Sequence, residues 1–272
     1  MKSFLGFLAV MIFAAVNAGE VKQVWPAKGM VKLTCGDYRI AARLANNGRI
    51  GMFAYKGQEL FAAPGATQLG TLYEAPFPKE KDTVLKLTVD GVVPETVAME
   101  YSGKEIILER EGLYGDIRIF SRYTLTPAGL TWAVRYRIES TGHKAKYFYL
   151  FTMPWSKAFT EYAYSNNGVV KYGVLNNDNS WEICSNLQKL AMFAPSCNVV
   201  AVSETVTPIP VESRRHTIWD LKHFHKHFVF HKRPEWKAGY ESPEYVMRFY
   251  AFNADQENWK AEVEKTFNSG EK

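Results

Sequence analysis

The chain of 272 residues carries 33 lysines and arginines against 28 acids, a net charge of +5 at pH 7. So mild an excess excludes the dense basic stripe of a nucleic-acid-binding module. The three cysteines, Cys35, Cys184 and Cys197, form no CxxC pair, which excludes a zinc ribbon.

The first residues read as a secretory signal peptide: Lys2, an apolar run from Phe4 to Phe13 continuing into Ala14 and Ala15, and Val16-Asn17-Ala18 as the cleavage tripeptide. At about 13 residues the run falls short of the ~20 that a transmembrane helix needs. The expectation is a secreted or periplasmic protein cleaved after Ala18, with 19–272 as one domain and no integral membrane segment. Beyond it, short extended runs alternate with turn dipeptides, and no helical period is found until the end. Strands are expected at 38–44 and 50–55 around Asn46-Asn47-Gly48, where Asn-Gly favours the positive φ angles of a hairpin turn. Another is expected at 59–61, and 62–81, rich in Gly, Pro and Ala, reads as a long loop.

Strands resume at 83–89, 96–101 and 105–111, then at 116–125 and 130–139, the last two joined by Pro127-Ala128-Gly129. In the latter, Leu130, Trp132, Val134, Tyr136 and Ile138 alternate with Thr131, Ala133, Arg135, Arg137 and Glu139, so one face is core and the other wet or ligand-facing. The run 147–153 is apolar on both faces, as in a central strand. Further strands are expected at 159–164, 169–173, 181–185, 189–193, 198–204, 217–219, 223–231 and 245–253. A helix closes the chain, with Asn253 as its cap, Gln256 reaching back, and Trp259, Val263 and Phe267 as its buried stripe. The fold expected is all-β: one large antiparallel β-sandwich with one C-terminal helix. An exported chain is compatible with a Cys184–Cys197 disulfide or with three free thiols.

One stretch stands out chemically. His223-Phe224-His225-Lys226-His227-Phe228-Val229-Phe230-His231 holds four of the six histidines, and strand alternation puts them on one side with the phenylalanines opposite. Arg214, Arg215, Lys222, Lys226, Lys232, Arg233 and Lys237 surround it, so the imidazole row is expected as a cationic ridge facing a ligand. Three readings compete. The row is a solvated strand face; or His223 and His225, about 7 Å apart at Cα, share a metal with a carboxylate such as Glu235, Glu241 or Glu244; or His225 and His227 move protons on a sugar. Trp155, Trp181, Trp219 and Trp236 offer aromatic faces for a pyranose, and Arg135 and Arg137 offer bidentate recognition of a carboxylate. No cofactor is implied.

Three segments resemble the galactose mutarotase-like supersandwich family, which includes aldose 1-epimerases. They are Asn47-Gly48-Arg49-Ile50-Gly51 through Leu60, then Arg122-Tyr123-Thr124-Leu125 with the strand ending Glu139-Ser140-Thr141-Gly142, and Ala238-Gly239-Tyr240-Glu241-Ser242 before the last strand. The resemblance implies a supersandwich with a carbohydrate-facing groove. It does not carry epimerase chemistry: where the family has His-Pro-Tyr-Phe, this chain has Phe151-Thr152-Met153-Pro154-Trp155, and the late glutamate matches only Glu235, which follows Pro234. The expectation is therefore an exported protein that binds or processes carbohydrate, an anionic glycan among its ligands, in a groove bordered by 223–231. In that groove His225, His227 and Glu235 are the candidate catalytic residues, and His223, His231, Arg135, Arg137, Trp155 and Trp236 the ligand-binding ones. A non-catalytic binding module using the same surface is the alternative.

Overall fold

A computed structural model describes residues 23–61, 68–70, 80–141, 147–166, 168–181, 183–185, 187–207, 214–222, 225–231 and 237–269. The expected signal peptide lies outside the described residues. The strands are β1 (Met30–Cys35), β2 (Tyr38–Arg43), β3 (Arg49–Tyr55), β4 (Gln58–Glu59), β5 (Gln68–Gly70), β6 (Glu80–Val89), β7 (Glu100–Ser102), β8 (Ile106–Tyr114), β9 (Ile117–Thr126) and β10 (Gly129–Ile138). They continue with β11 (Tyr147–Trp155), β12 (Glu161–Asn166), β13 (Val169–Val174), β14 (Cys184–Ser185), β15 (Lys189–Ala194), β16 (Val199–Thr205), β17 (Arg214–Asp220), β18 (His225–His231) and β19 (Tyr245–Asn253), and the chain ends in α1 (Trp259–Ser269).

Three sheets form. A nine-stranded sheet runs β13-β12-β15-β16-β19-β10-β9-β8-β6, one five-stranded sheet runs β4-β3-β2-β1-β7, and a second runs β14-β17-β18-β11-β5. Their inner faces share one core: Tyr38, Phe53, Leu108, Tyr123, Trp132, Phe151 and Trp155 belong to a single buried cluster. The two smaller sheets touch through an isolated bridge between Phe61 and Trp155. Pairing is antiparallel throughout the nine-stranded sheet, and the expected all-β sandwich is what forms.

Alternation decides most of the strand faces. In β8 every second residue is buried, from Ile106 through Leu108, Arg110 and Gly112 to Tyr114. Arg110 is the exception to apolar-inside. It is ion-paired with Glu80, whose other oxygen takes Arg49 at 3.3 Å, and its Nε donates to the Asn47 carbonyl at 2.7 Å. Gly112 makes this possible, because a Cβ there would collide with the Glu80 carboxylate.

Several local expectations change. The hairpin between β2 and β3 uses a 3-10 turn at Leu44–Asn46 before Asn47 and Gly48, both at positive φ. β5 falls inside the span expected as loop. The helix is capped by Asp255, whose Oδ1 accepts the backbone N–H groups of Glu257 and Asn258 at 3.0 Å, and not by Asn253, which ends β19. Gln256 bonds Glu161 instead of reaching back. Trp259, Val263 and Phe267 do form the buried stripe, packed on Ala163, Ala191, Phe193, Val200 and Val202. All three cysteines are free thiols.

Candidate functional site

The histidine strand lies inside the molecule. In β18, His225 and His227 have no exposed surface, and Val229 two residues on is buried with them. The expectation of a solvent-facing imidazole ridge is corrected: the alternation holds, but the histidine side is the inward side. β18 sits between β17 and β11, so Ile218 and Met153 flank His227 in register, and a strand with neighbours on both sides and a core beneath has no open inner face. Trp155, expected as a sugar platform, is likewise fully buried, edge-on to Phe61 and Phe159 at centroid distances of 5.0 and 5.6 Å. His223, Glu235 and Trp236 lie outside the described residues, as does the side chain of His231. Among the described residues no three metal-ligating groups gather, and the carboxylate beside His225 is Asp220.

These buried polar groups are organised. The Trp155 indole N–H donates to His227 Nδ1 at 3.3 Å. Indole nitrogen is donor only, so this bond assigns a bare Nδ1 and a protonated Nε2 to a neutral His227. His227 Nε2 then donates to His216 Nε2, the two rings lying within 9° of coplanar. That leaves a proton on His216 Nδ1, which faces Thr205 Oγ1 at 3.4 Å on β16 of the opposite sheet. One chain of donors thus runs from Trp155 to Thr205 with both imidazoles uncharged. Burial first, and the neighbouring His216 second, hold the His227 pKa well below the usual histidine value.

His225 stands at the other end of the strand, its Nδ1 3.0 Å from Asp220 Oδ1. The contact is off the line of a good hydrogen bond, so it counts as electrostatic. Asp220 Oδ2 accepts the Asn177 backbone N–H at 2.7 Å. Burial lowers the His225 pKa, Asp220 opposes that, and Lys157 adds to it. An aspartate holding an imidazole is a pattern of general-base chemistry. Here both groups are buried, so it is a fixed internal pair.

An accessible polar surface lies on the nine-stranded sheet, on the face turned away from the core. A cavity of about 250 Å³ lies across β6, β8, β9 and β10, lined by Lys86, Glu109, Phe120, Arg122, Arg135 and, at its rim, Glu244. Arg135 lies opposite Phe120 in register, with its guanidinium carbon 4.0 Å from the ring centroid. Glu109 is held by Arg122 at 3.3 Å and Lys86 at 3.8 Å, and Glu111 by Arg118 at 2.8 Å. Arg137, the second expected ligand residue, bonds Glu139 at 2.8 Å and Glu241 at 3.7 Å. Arg135 has no acid within ion-pair distance among the described residues, so its donors remain available to a ligand.

Of the residues singled out by sequence, Arg135 therefore reaches a cavity, Arg137 is engaged in ion pairs beside it, and His225, His227 and Trp155 are interior. Sequence reasoning missed Phe120, Glu109, Lys86, Arg122 and Glu244 as companions of Arg135, and Asp220 and His216 as partners of the histidines. A signal for Phe120 was present. Counting pairs outward from the Pro127-Ala128-Gly129 turn sets Arg135 against Phe120.

This architecture, a large all-β sandwich, is shared with solved structures. A protein from Synechocystis sp. PCC 6803 is similar over 86% of this chain and 99% of its own, at 9% identity and a TM-score of 0.51. The alpha-N-acetylgalactosaminidase of Bifidobacterium bifidum is similar over 89% of this chain at 8% identity and a TM-score of 0.57, and a variant GH36 alpha-galactosidase of Geobacillus stearothermophilus, in complex with raffinose, over 84% at 10% and 0.53. The chain spans only 39% and 41% of those two glycosidases. At these identities the likeness is one of fold. No family model matches the sequence, and no curated protein matches it.

Proposed function

We propose that this chain is an exported carbohydrate-binding protein that holds a sugar carboxylate in the cavity over β8, β9 and β10, without turning it over. The observation that carries the reading is Arg135: an exposed guanidinium, held over the Phe120 ring and lacking an acid partner among the described residues, inside a concavity flanked by Lys86 and Arg122. A planar guanidinium is matched to a carboxylate, and its stacking on a ring fixes it in advance, so little conformational freedom is lost on binding. Glu109 and Glu244 supply acceptors for hydroxyl groups. The ligand class is then a uronate-containing glycan. The fold's occurrence beside glycosidase domains is consistent with a carbohydrate role, and the Lys2-to-Ala18 leader supports export. Burial of His225, Asp220 and His227 keeps these three groups away from a ligand on the open face, which favours recognition by Arg135 over chemistry by the histidines.

Titration calorimetry of the full chain against an oligogalacturonate tests this. Arg135→Ala is expected to weaken binding at least tenfold, about 1.4 kcal/mol, and Arg135→Lys to recover only part of it. Binding that is indifferent to both substitutions would remove the proposal. Release of an unsaturated product, followed by ultraviolet absorbance, would replace binding with lyase chemistry.

A further inference from the structure

The loop between β13 and β14 presents a second surface. Trp181 is 53% exposed, and its ring stacks on Trp219 of β17 at a centroid distance of 4.4 Å and an interplanar angle of 27°. Trp219 itself is 6% exposed, so the outer indole rests on a ring anchored in a sheet.

The loop is stapled to the end of β17. Asn177 N–H donates to Asp220 Oδ2 at 2.7 Å, Asp220 N–H to the Ser180 carbonyl at 3.0 Å, Ile183 N–H to the Ile218 carbonyl at 3.2 Å, and Lys222 N–H to Asn179 Oδ1 at 2.9 Å. Asn177 and Asn179 adopt φ of 58° and 63°, the left-handed conformation that asparagine tolerates better than most residues. Four bonds and two such turns fix the position of Trp181 before any ligand arrives, which removes an ordering cost from binding.

The chemistry around the ring selects the occupant. A stable protein partner needs roughly 800 Å² per side with an apolar centre. Here Trp181 follows Asn176, Asn177, Asp178, Asn179 and Ser180, and Lys222 lies across from Asn179. A half-exposed indole on a loop of amides, a carboxylate and a hydroxyl suits a pyranose, whose apolar side packs on the ring while its hydroxyls meet polar groups of the loop. From this we infer that Trp181 on Trp219 is a saccharide subsite separate from the Arg135 cavity, one that reads the apolar face of a sugar ring and requires no carboxylate. The inference rests on the carbohydrate reading above but not on Arg135.

The test uses the full chain with cellohexaose and maltohexaose as neutral probes and an oligogalacturonate as the acidic one, read by quenching of tryptophan fluorescence and by saturation-transfer NMR. Trp181→Ala is expected to lower affinity for a neutral hexasaccharide tenfold or more, with Trp181→Phe retaining most of it. Because Trp181 is exposed, both variants should keep the wild-type far-ultraviolet circular dichroism. If Trp181→Ala binds every probe as the wild type does while Arg135→Ala loses the acidic one, the subsite is overturned and the binding proposal stands. If the wild type binds none of the three probes, both fall. If Trp181→Ala converts a dimer to a monomer in size-exclusion chromatography without altering sugar binding, the surface belongs to a second copy of the chain and the subsite is refuted.

Discussion

Two strand faces in this molecule carry rows of polar side chains, and they are handled in opposite ways. On β17 and β18, His216, Asp220, His225 and His227 point into the core. On β9 and β10, Arg118, Arg122, Arg135 and Arg137 point to water, three of them paired with glutamates on their own or neighbouring strands. The difference is one of protonation. An imidazole can be buried neutral if its two nitrogens find a donor and an acceptor, as the chain from Trp155 to Thr205 provides. A guanidinium is always charged, so it stays at the surface unless a carboxylate is buried beside it. Arg110 marks that limit: it is the one inward arginine of β8 and it needs Glu80.

Experiments can break this contrast at several levels. The largest effect is expected where charge is buried. Glu80→Ala leaves Arg110 and Arg49 uncompensated and should lower stability by about 3–5 kcal/mol. A urea midpoint scarcely moved would mean that water, not Glu80, neutralises the pair. Next comes His227→Ala, which opens a cavity and strands both Trp155 and His216, and is expected to cost about 2–4 kcal/mol by the same measurement.

The pH dependence sharpens the point further. His225 and His227 have folded-state pKa values below the ordinary histidine value, so below about 6.5 the unfolded chain binds more protons than the native one. Their contribution to stability is complete above that value and is lost as pH falls. Urea unfolding at pH 7.5, 6.5 and 5.5 should show this decline, and His227→Gln should flatten it. Equal slopes in the two proteins would contradict a neutral buried imidazole. The smallest effect belongs to the open face: Arg122→Ala removes an exposed cross-strand pair with Glu109, and a change within about 1 kcal/mol is expected.

The comparison also separates what was legible from what was not. Alternation in 130–139 put Arg135 and Arg137 on a polar face, and they are there. The same rule grouped His225 with His227, and they do share a side. It erred on which side that was, because phenylalanines on the opposite side looked like the anchor. The partners of the histidines could not be found by spacing: His216 and Asp220 come from the next strand, Trp155 from the other neighbour, and Thr205 from another sheet.

The sequence by itself determined most of the strand succession though not β5, the terminal helix with its Trp259, Val263 and Phe267 stripe, and the grouping of side chains by face, because periodicity is a property of the local backbone. The tertiary structure alone decided which faces meet water. That choice depends on which sheets pack together and on whether each buried polar group finds a partner there, and neither condition is written within any one strand.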